Sequence, residues 1–369
     1  MISHLSIENF KSIRKVNLDC RKMNIFLGEP DTGKSNILEA LGLLSWCGQT
    51  YNGYDHEPVQ TGQNHAIKHH IGETHELPHM QELSSYIRFE KIQNIFFKNQ
   101  IQDPVIISIL KGDHENDKSP VKTLMITIGG DDCRIQFRKG KMIPENKEQT
   151  GGTNIANLHI TGQRKGIVHT CDDFQNIFFY RYKDLVQFPD PTPLPLKSPF
   201  GQNLFSVVMY DKRCQNIMKE LFSSSEFKFV LKPADNKFEF QQEEDNIVFT
   251  YPYQISSDTY RHIAFFAIAV ASQTNATLIF EEPEAHTFPY YTKYLAEQIW
   301  LDKTNQYFIV THNQYLLSTL IEKVRKEDLA LFIVTKEGGE TCITPMDAEK
   351  ISDMICNDPF FDLERFLGN

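Results

Sequence analysis

The stretch GEPDTGKSN, Gly28 to Asn36, constrains this chain more than any other, because it fits the spacing GxxxxGK[ST] between an apolar run and a helical pattern. In that pattern glycines let backbone N–H groups curl around phosphates, the lysine (Lys34) reaches the outer phosphates and the hydroxyl (Ser35) serves Mg²⁺. The surroundings agree. Met23 to Leu27 reads as a short buried strand, and Ile37, Leu38, Leu41 and Leu44 recur at helical spacing before Gly48. Strand, glycine loop and helix thus follow in the order that offers a helix N-terminus, with free N–H groups and partial positive charge, to an anion. Gly28, Asp31, Thr32, Gly33, Lys34, Ser35 and Asn36 are the candidate nucleotide contacts. Pro30 removes one N–H and Asp31 adds a negative charge, so each is expected to weaken binding without abolishing it.

A P-loop protein also needs a carboxylate to manage Mg²⁺ and the attacking water, usually at the end of a neighbouring buried strand. TLIFEEPE, residues 277 to 284, supplies one: an apolar run from which Glu281 and Glu282 emerge. Glu281 would face the metal and Glu282 would polarise the water; an exposed acidic turn is the competing reading. QYFIVTHN then repeats the design, with Tyr307 to Val310 as the strand and His312 near its tip, where an imidazole can sense a γ-phosphate. The helical run Tyr290 to Trp300 between them gives a strand, helix, strand crossover that opens both tips on one edge. Upstream, Ser256-Ser257-Asp258-Thr259 has N-cap chemistry for the apolar helix that follows.

With P-loop, ISSDT, FEEPEAH and THN in that order, the chain resembles the ABC-type ATPases of the SMC, RecF and OLD group, often described as AAA-type ATP-binding proteins. The resemblance covers roughly residues 1–50 and 250–369. It implies an α/β fold: a P-loop NTPase core of ABC-ATPase type with an antiparallel β lobe and a helical signature subdomain. It also implies that Lys11, in the opening IENFKS, lies near the nucleotide. Ser256, with Ser257 and Asp258, would form the signature turn that meets ATP held by a second copy. The mechanism implied is a Mg²⁺-dependent homodimer that closes around ATP and reopens on hydrolysis. Two departures stand out: Asp258 occupies a position where the group usually has glycine, and Glu281 replaces the usual aspartate.

The layout expected is a core from 1–50 and 250–369, a β-rich lobe over 51–175, and a proline-rich loop with helical subdomain over 176–249. Six histidines, His56, His65, His69, His70, His75 and His79, invite a zinc reading, but their irregular spacing without nearby cysteine favours an exposed insertion. No heptad run supplies a coiled-coil arm, and the segment after His312 is too short for the nuclease domain of OLD proteins, so any effector is expected to be a separate chain. No run approaches the roughly 20 apolar residues of a membrane span, and the seven cysteines lack CxxC spacing, which fits a reduced, cytoplasmic protein without membrane partners. A net charge of −10 does not support DNA binding by global attraction; the basic run Arg134 to Lys141 reads as a solvated strand face. An ATP-hydrolysing motor or switch in a DNA-related or phage-defence complex is the leading reading. An ATP-gated scaffold with little turnover is the alternative, and a metabolite kinase or transporter ATPase fits the motifs less well.

Overall fold

The computed structural model describes residues 1–49, 80–112, 120–129, 132–140, 153–159, 172–223, 227–347 and 351. The chain opens with an antiparallel hairpin, β1 (Ile2–Phe10) and β2 (Ile13–Asp19), whose apolar residues alternate inward. Next come β3 (Met23–Leu27), buried at every position, α1 (Lys34–Gln49) and the short α2 (Met80–Tyr86). Four strands follow: β4 (Val105–Lys111), β5 (Val121–Gly129), β6 (Asp132–Gly140) and β7 (Thr153–His159). They extend the hairpin into a six-stranded sheet, β2-β1-β4-β5-β6-β7, antiparallel throughout. The N-terminal hairpin therefore belongs to the antiparallel sheet, because β1 pairs with β4 along most of its length. Residues 134–140 of the basic run fall on β6, an interior strand whose Lys139 joins Lys122 on Asp173.

The chain then returns through β8 (Ile177–Tyr180), α3 (Leu204–Tyr210) and α4 (Lys212–Phe222), the last capped by Asp211, whose carboxylate accepts from the N–H groups of Arg213 and Cys214. A small sheet of β9 (Lys228–Lys232), β10 (Lys237–Glu244) and β11 (Ile247–Pro252) packs Phe238 and Phe240 against Tyr253 and Phe222. The remaining elements are α5 (Asp258–Ser272), β12 (Thr277–Glu281), α6 (Pro289–Leu301), β13 (Gln306–Val310), α7 (Gln314–Lys323), β14 (Leu329–Glu337) and β15 (Glu340–Pro345). They complete the second six-stranded sheet, β15-β14-β3-β13-β12-β8, in which every neighbour pair is parallel except β14 with β15.

This parallel sheet separates two cores, and the period-two alternation of its strands feeds both. Phe26, Phe179, Ile279, Phe308 and Phe332 point to one side, against α1 and the apolar face of the antiparallel sheet. Ile25, Tyr180, Leu278, Phe280 and Ile309 point to the other, against α5, α6 and α7. Because β3, β12 and β13 run parallel and in close register, with Glu281 opposite Val310 and Val310 opposite Phe26, their carboxyl ends open along one edge. Ligands of open α/β sheets bind at such an edge.

Candidate nucleotide site

The glycine loop leaves β3 at Gly28 and enters α1 at Lys34, and its glycines are fixed by close approach. A Cβ on Gly28 would lie 2.2 Å from the Val334 carbonyl oxygen. At Gly33, with φ of 102°, it would lie 2.1 Å from the Thr341 hydroxyl. Lys34 is buried, its ammonium donating to the carbonyls of Gly28 (2.7 Å) and Glu29, and burial brings it down to about 8. Thr32 donates to the Glu29 carbonyl, while Asn36 donates to Ser12. Asp31 does not present a bare charge to the cleft: Lys336 reaches it at 2.9 Å.

Glu281, at the tip of β12, accepts a hydrogen bond from Ser35 and is gripped by two guanidinium groups, Arg88 at 2.6 Å and Arg181 at 2.7 Å. Burial would raise this carboxyl, but Arg181 and then Arg88 outweigh it and hold the group below its ordinary range. Behind it lies Glu39, on the buried face of α1 and fully inaccessible, paired with Arg88 (2.6 Å) and with Lys11. Lys11 thus sits in this network, and its ammonium also donates to the Arg88 carbonyl; Ser12 beside it lines the loop's cleft. A hydroxyl and a carboxylate are hard oxygen donors that suit Mg²⁺, so Ser35 and Glu281 fit the metal by donor type. Arg88 and Arg181 already neutralise that carboxylate.

Glu282 follows with a φ of 46°, which turns its carboxylate from the strand tip toward His312; Nε2 of the imidazole lies 3.5 Å from Oε1. Burial, then the nearby Lys34, lower the His312 pKa against the pull of Glu282. Lys34, Ser35, Glu282 and His312 share one cleft of about 540 Å³ with Pro30, Asp31, Gly33 and Asn36. Glu284, two residues on, is buried, and its Oε1 accepts from the Thr311 hydroxyl (2.6 Å) and the His312 N–H (3.0 Å).

The Ser256 hydroxyl donates to the Tyr253 carbonyl (2.7 Å). Ser257 stands at the N-cap of α5 without a side-chain cap bond. Buried Arg261 holds the turn, donating to the carbonyls of Gln254 and Ser256 and pairing with Asp258 and Asp184. Asp258 is therefore folded back onto a cation. It borders a second cleft of about 500 Å³, which also holds Arg181, Tyr182, His262 and His286, and which shares Ser35, Arg88 and Glu282 with the first.

The histidine run at residues 56–79 lies outside the described residues. No local motif assigns a role to Glu39, Arg88, Arg181 or Glu284. Three of them left a trace: Glu39 is an acid among apolar helix residues, Glu284 closes the run TLIFEEPE, and Arg181 follows the apolar run IFFY as Glu281 follows TLIF.

Residues 1–83 match the AAA ATPase domain family. The chain is 21% identical over 243 residues to the DNA replication and repair protein RecF of Phocaeicola vulgatus, a match covering 61% of this chain and 62% of that protein. An SMC head, solved bound to the C-winged helix domain of ScpA, superposes with a TM-score of 0.53 at 14% identity, over 95% of this chain and 99% of that one. The fold is that of an SMC head domain. In that frame β3, β12 and β13 are the three strands whose tips gather the P-loop, the glutamate pair and His312. Among the described residues, no helix is long and apolar enough to cross a membrane.

Proposed function

We propose that the protein is an ATP-binding and ATP-hydrolysing head that dimerises around ATP and serves as a motor or switch in a DNA-related or phage-defence complex. The observation that carries the reading is the convergence of Lys34, Ser35, Glu282 and His312 on one cleft, from three strand tips far apart in sequence. Lys34 would leave the loop carbonyls for the outer phosphates, and the α1 N-terminus would complete the cradle. Glu282 would hold the attacking water and accept its proton. His312, lowered by burial and Lys34, would be neutral at pH 7 and would donate one hydrogen bond to the departing phosphate. Ser35 and Glu281 would hold Mg²⁺, which when bound offsets charge on the phosphates. Ser256, Ser257 and Asp258 would act toward ATP on a second copy, making a homodimer part of the proposal. A cytoplasmic location and a separate effector chain complete it. The DNA-related setting rests on likeness to RecF and the SMC head.

The second reading is an ATP-gated scaffold with little turnover. Two arginines on Glu281 favour it, since the metal must share that carboxylate with Arg88 and Arg181. Against it, Asp31 and Asp258 are each paired with a cation rather than facing phosphate bare. ATP turnover with Mg²⁺, measured beside Glu282→Gln with oligomer mass recorded, tests both. Turnover by the wild type with an ATP-bound, stalled dimer of the variant supports the first. Dimerisation on ATP without turnover by either supports the scaffold, and no response to nucleotide removes both.

A further inference from the structure

Glu284 lies outside the phosphate cradle, yet it is the side chain that physically joins the two strand tips of the hydrolytic pair. The turn after β12 begins by continuing the ladder, with the Glu282 N–H donating to the Val310 carbonyl at 3.0 Å. It then passes through left-handed conformations at two non-glycine residues, Glu282 (φ 46°) and His286 (φ 59°). Conformations of that kind persist only where the surroundings hold them. Thr287 holds one end, its N–H and hydroxyl both donating to the Glu284 carbonyl, and α5 holds the other through Thr259, which donates to the His286 carbonyl at 3.2 Å. From this braced turn the Glu284 carboxyl crosses to β13. Its Oε1 takes the Thr311 hydroxyl and the His312 N–H, and Thr311 in turn accepts from the Asn313 N–H at 3.0 Å. All three residues of the THN tip are thereby organised around one buried carboxyl, 6% exposed, whose Oε2 has no partner among the described residues. A group that leaves one oxygen unsatisfied in the interior carries a cost, so its two bonds to β13 must be worth more than plain packing.

We propose that Glu284 is a positioning residue: it fixes the backbone of His312 relative to the Glu282 turn and so sets the separation across which those two side chains work. The proposal rests on the hydrolytic reading of Glu282 and His312, but the geometry it concerns can be read without turnover. A purely structural Glu284 would affect melting temperature alone. A positioning Glu284 would affect kcat and the environment of His312 while leaving nucleotide affinity in place, because neither of its partners belongs to the phosphate loop.

The test compares wild type with Glu284→Ala and Glu284→Gln in three readouts: ATP turnover, mant-ATP affinity, and the His312 imidazole titration by NMR, its resonance assigned with His312→Gln. Loss of hydrogen bonds to a carboxyl predicts that Glu284→Ala lowers kcat about tenfold or more. Its mant-ATP Kd should stay within about twofold, as expected when only a transition-state interaction is lost. Glu284→Gln, which keeps an acceptor at Oε1, restores most of the turnover and a wild-type His312 titration. If Glu284→Ala fails to fold, Thr311→Val removes one donor and keeps the carboxyl, and the same split is expected at smaller size. Wild-type kcat together with a wild-type His312 titration in the alanine variant overturns the proposal. If the wild type does not hydrolyse ATP, the proposed function fails, while a shifted His312 titration in Glu284→Ala, restored in Glu284→Gln, still upholds the positioning role and an unshifted one still removes it.

Discussion

The two clefts that share Ser35, Arg88 and Glu282 are built on opposite principles. The phosphate cleft is made mostly by backbone: consecutive residues between one strand and one helix, with glycines required at Gly28 and Gly33 because Val334 and Thr341 press against them. The second cleft is made by side chains from five separate segments, held by a network of Glu39 and Glu281 with Lys11, Arg88 and Arg181. A backbone cradle is specified by a short motif and survives most changes around it. A buried ion network has no local code, and it fails sharply when one member is removed, because the remaining charges are left unpaired in a low-dielectric interior.

The largest expected effect separates the two directly. Lys34→Ala should lower mant-ATP affinity by about a hundredfold or more, since it deletes the charge that reaches the outer phosphates. Its thermal stability should stay near wild type or rise, because burial already disfavours that ammonium. Glu39→Ala should do the reverse. It leaves Lys11 and Arg88 without their inner carboxylate and should cost about 3 kcal/mol or more in chemical denaturation, from a residue that does not line the phosphate cleft. If both variants lose affinity and stability to the same degree, the two clefts form one cooperative unit and the contrast is wrong.

This contrast also explains what was legible in the sequence. The P-loop, FEEPE and THN could be read because each is a run of adjacent residues at the tip of an apolar strand, so local pattern and chemistry coincide. The parallel sheet followed from those strands. The pairing of β1 with β4 did not, since hairpins are coded locally and the strand beside them is not. Arg88 and Arg181 could not be paired with Glu281 for the same reason: Arg88 follows α2 and Arg181 follows β8, and only the fold brings both to Glu281. The resemblance implies a carboxylate at the signature turn in Asp258, and what local spacing did not single out is its partner Arg261, an i,i+3 pair on α5.

Glu284 gives a pH test of comparable size to Glu39→Ala or a little smaller. Burial raises its carboxyl from 4.5 to about 7, so the folded state binds a proton more tightly than the unfolded chain. The stability this protonation supports is fully present below about 4.5 and is lost as pH rises through about 7. Relative to Glu284→Gln, the wild type should therefore lose on the order of 3 kcal/mol between those limits in urea denaturation. His262 acts in the opposite direction, brought down to about 4 by burial, so its contribution falls away as pH drops below its ordinary value of 6.5. The comparison with the glutamine variant cancels it.

Arg88 offers the finest probe, because it is 57% exposed and belongs to both clefts. Its guanidinium now occupies one oxygen of Glu281, the carboxylate that suits Mg²⁺ by donor type. In Arg88→Gln that oxygen is released, and Arg181 alone remains on the other. The half-saturating Mg²⁺ concentration for turnover should then fall about threefold, a modest change because solvent at the half-exposed guanidinium screens its hold on the buried carboxylate. An increase would mean that Arg88 holds the nucleotide rather than competing with the metal, and would move it from the second cleft's network into the first cleft's cradle. That outcome would turn the shared wall between the clefts from a passive boundary into part of the phosphate site.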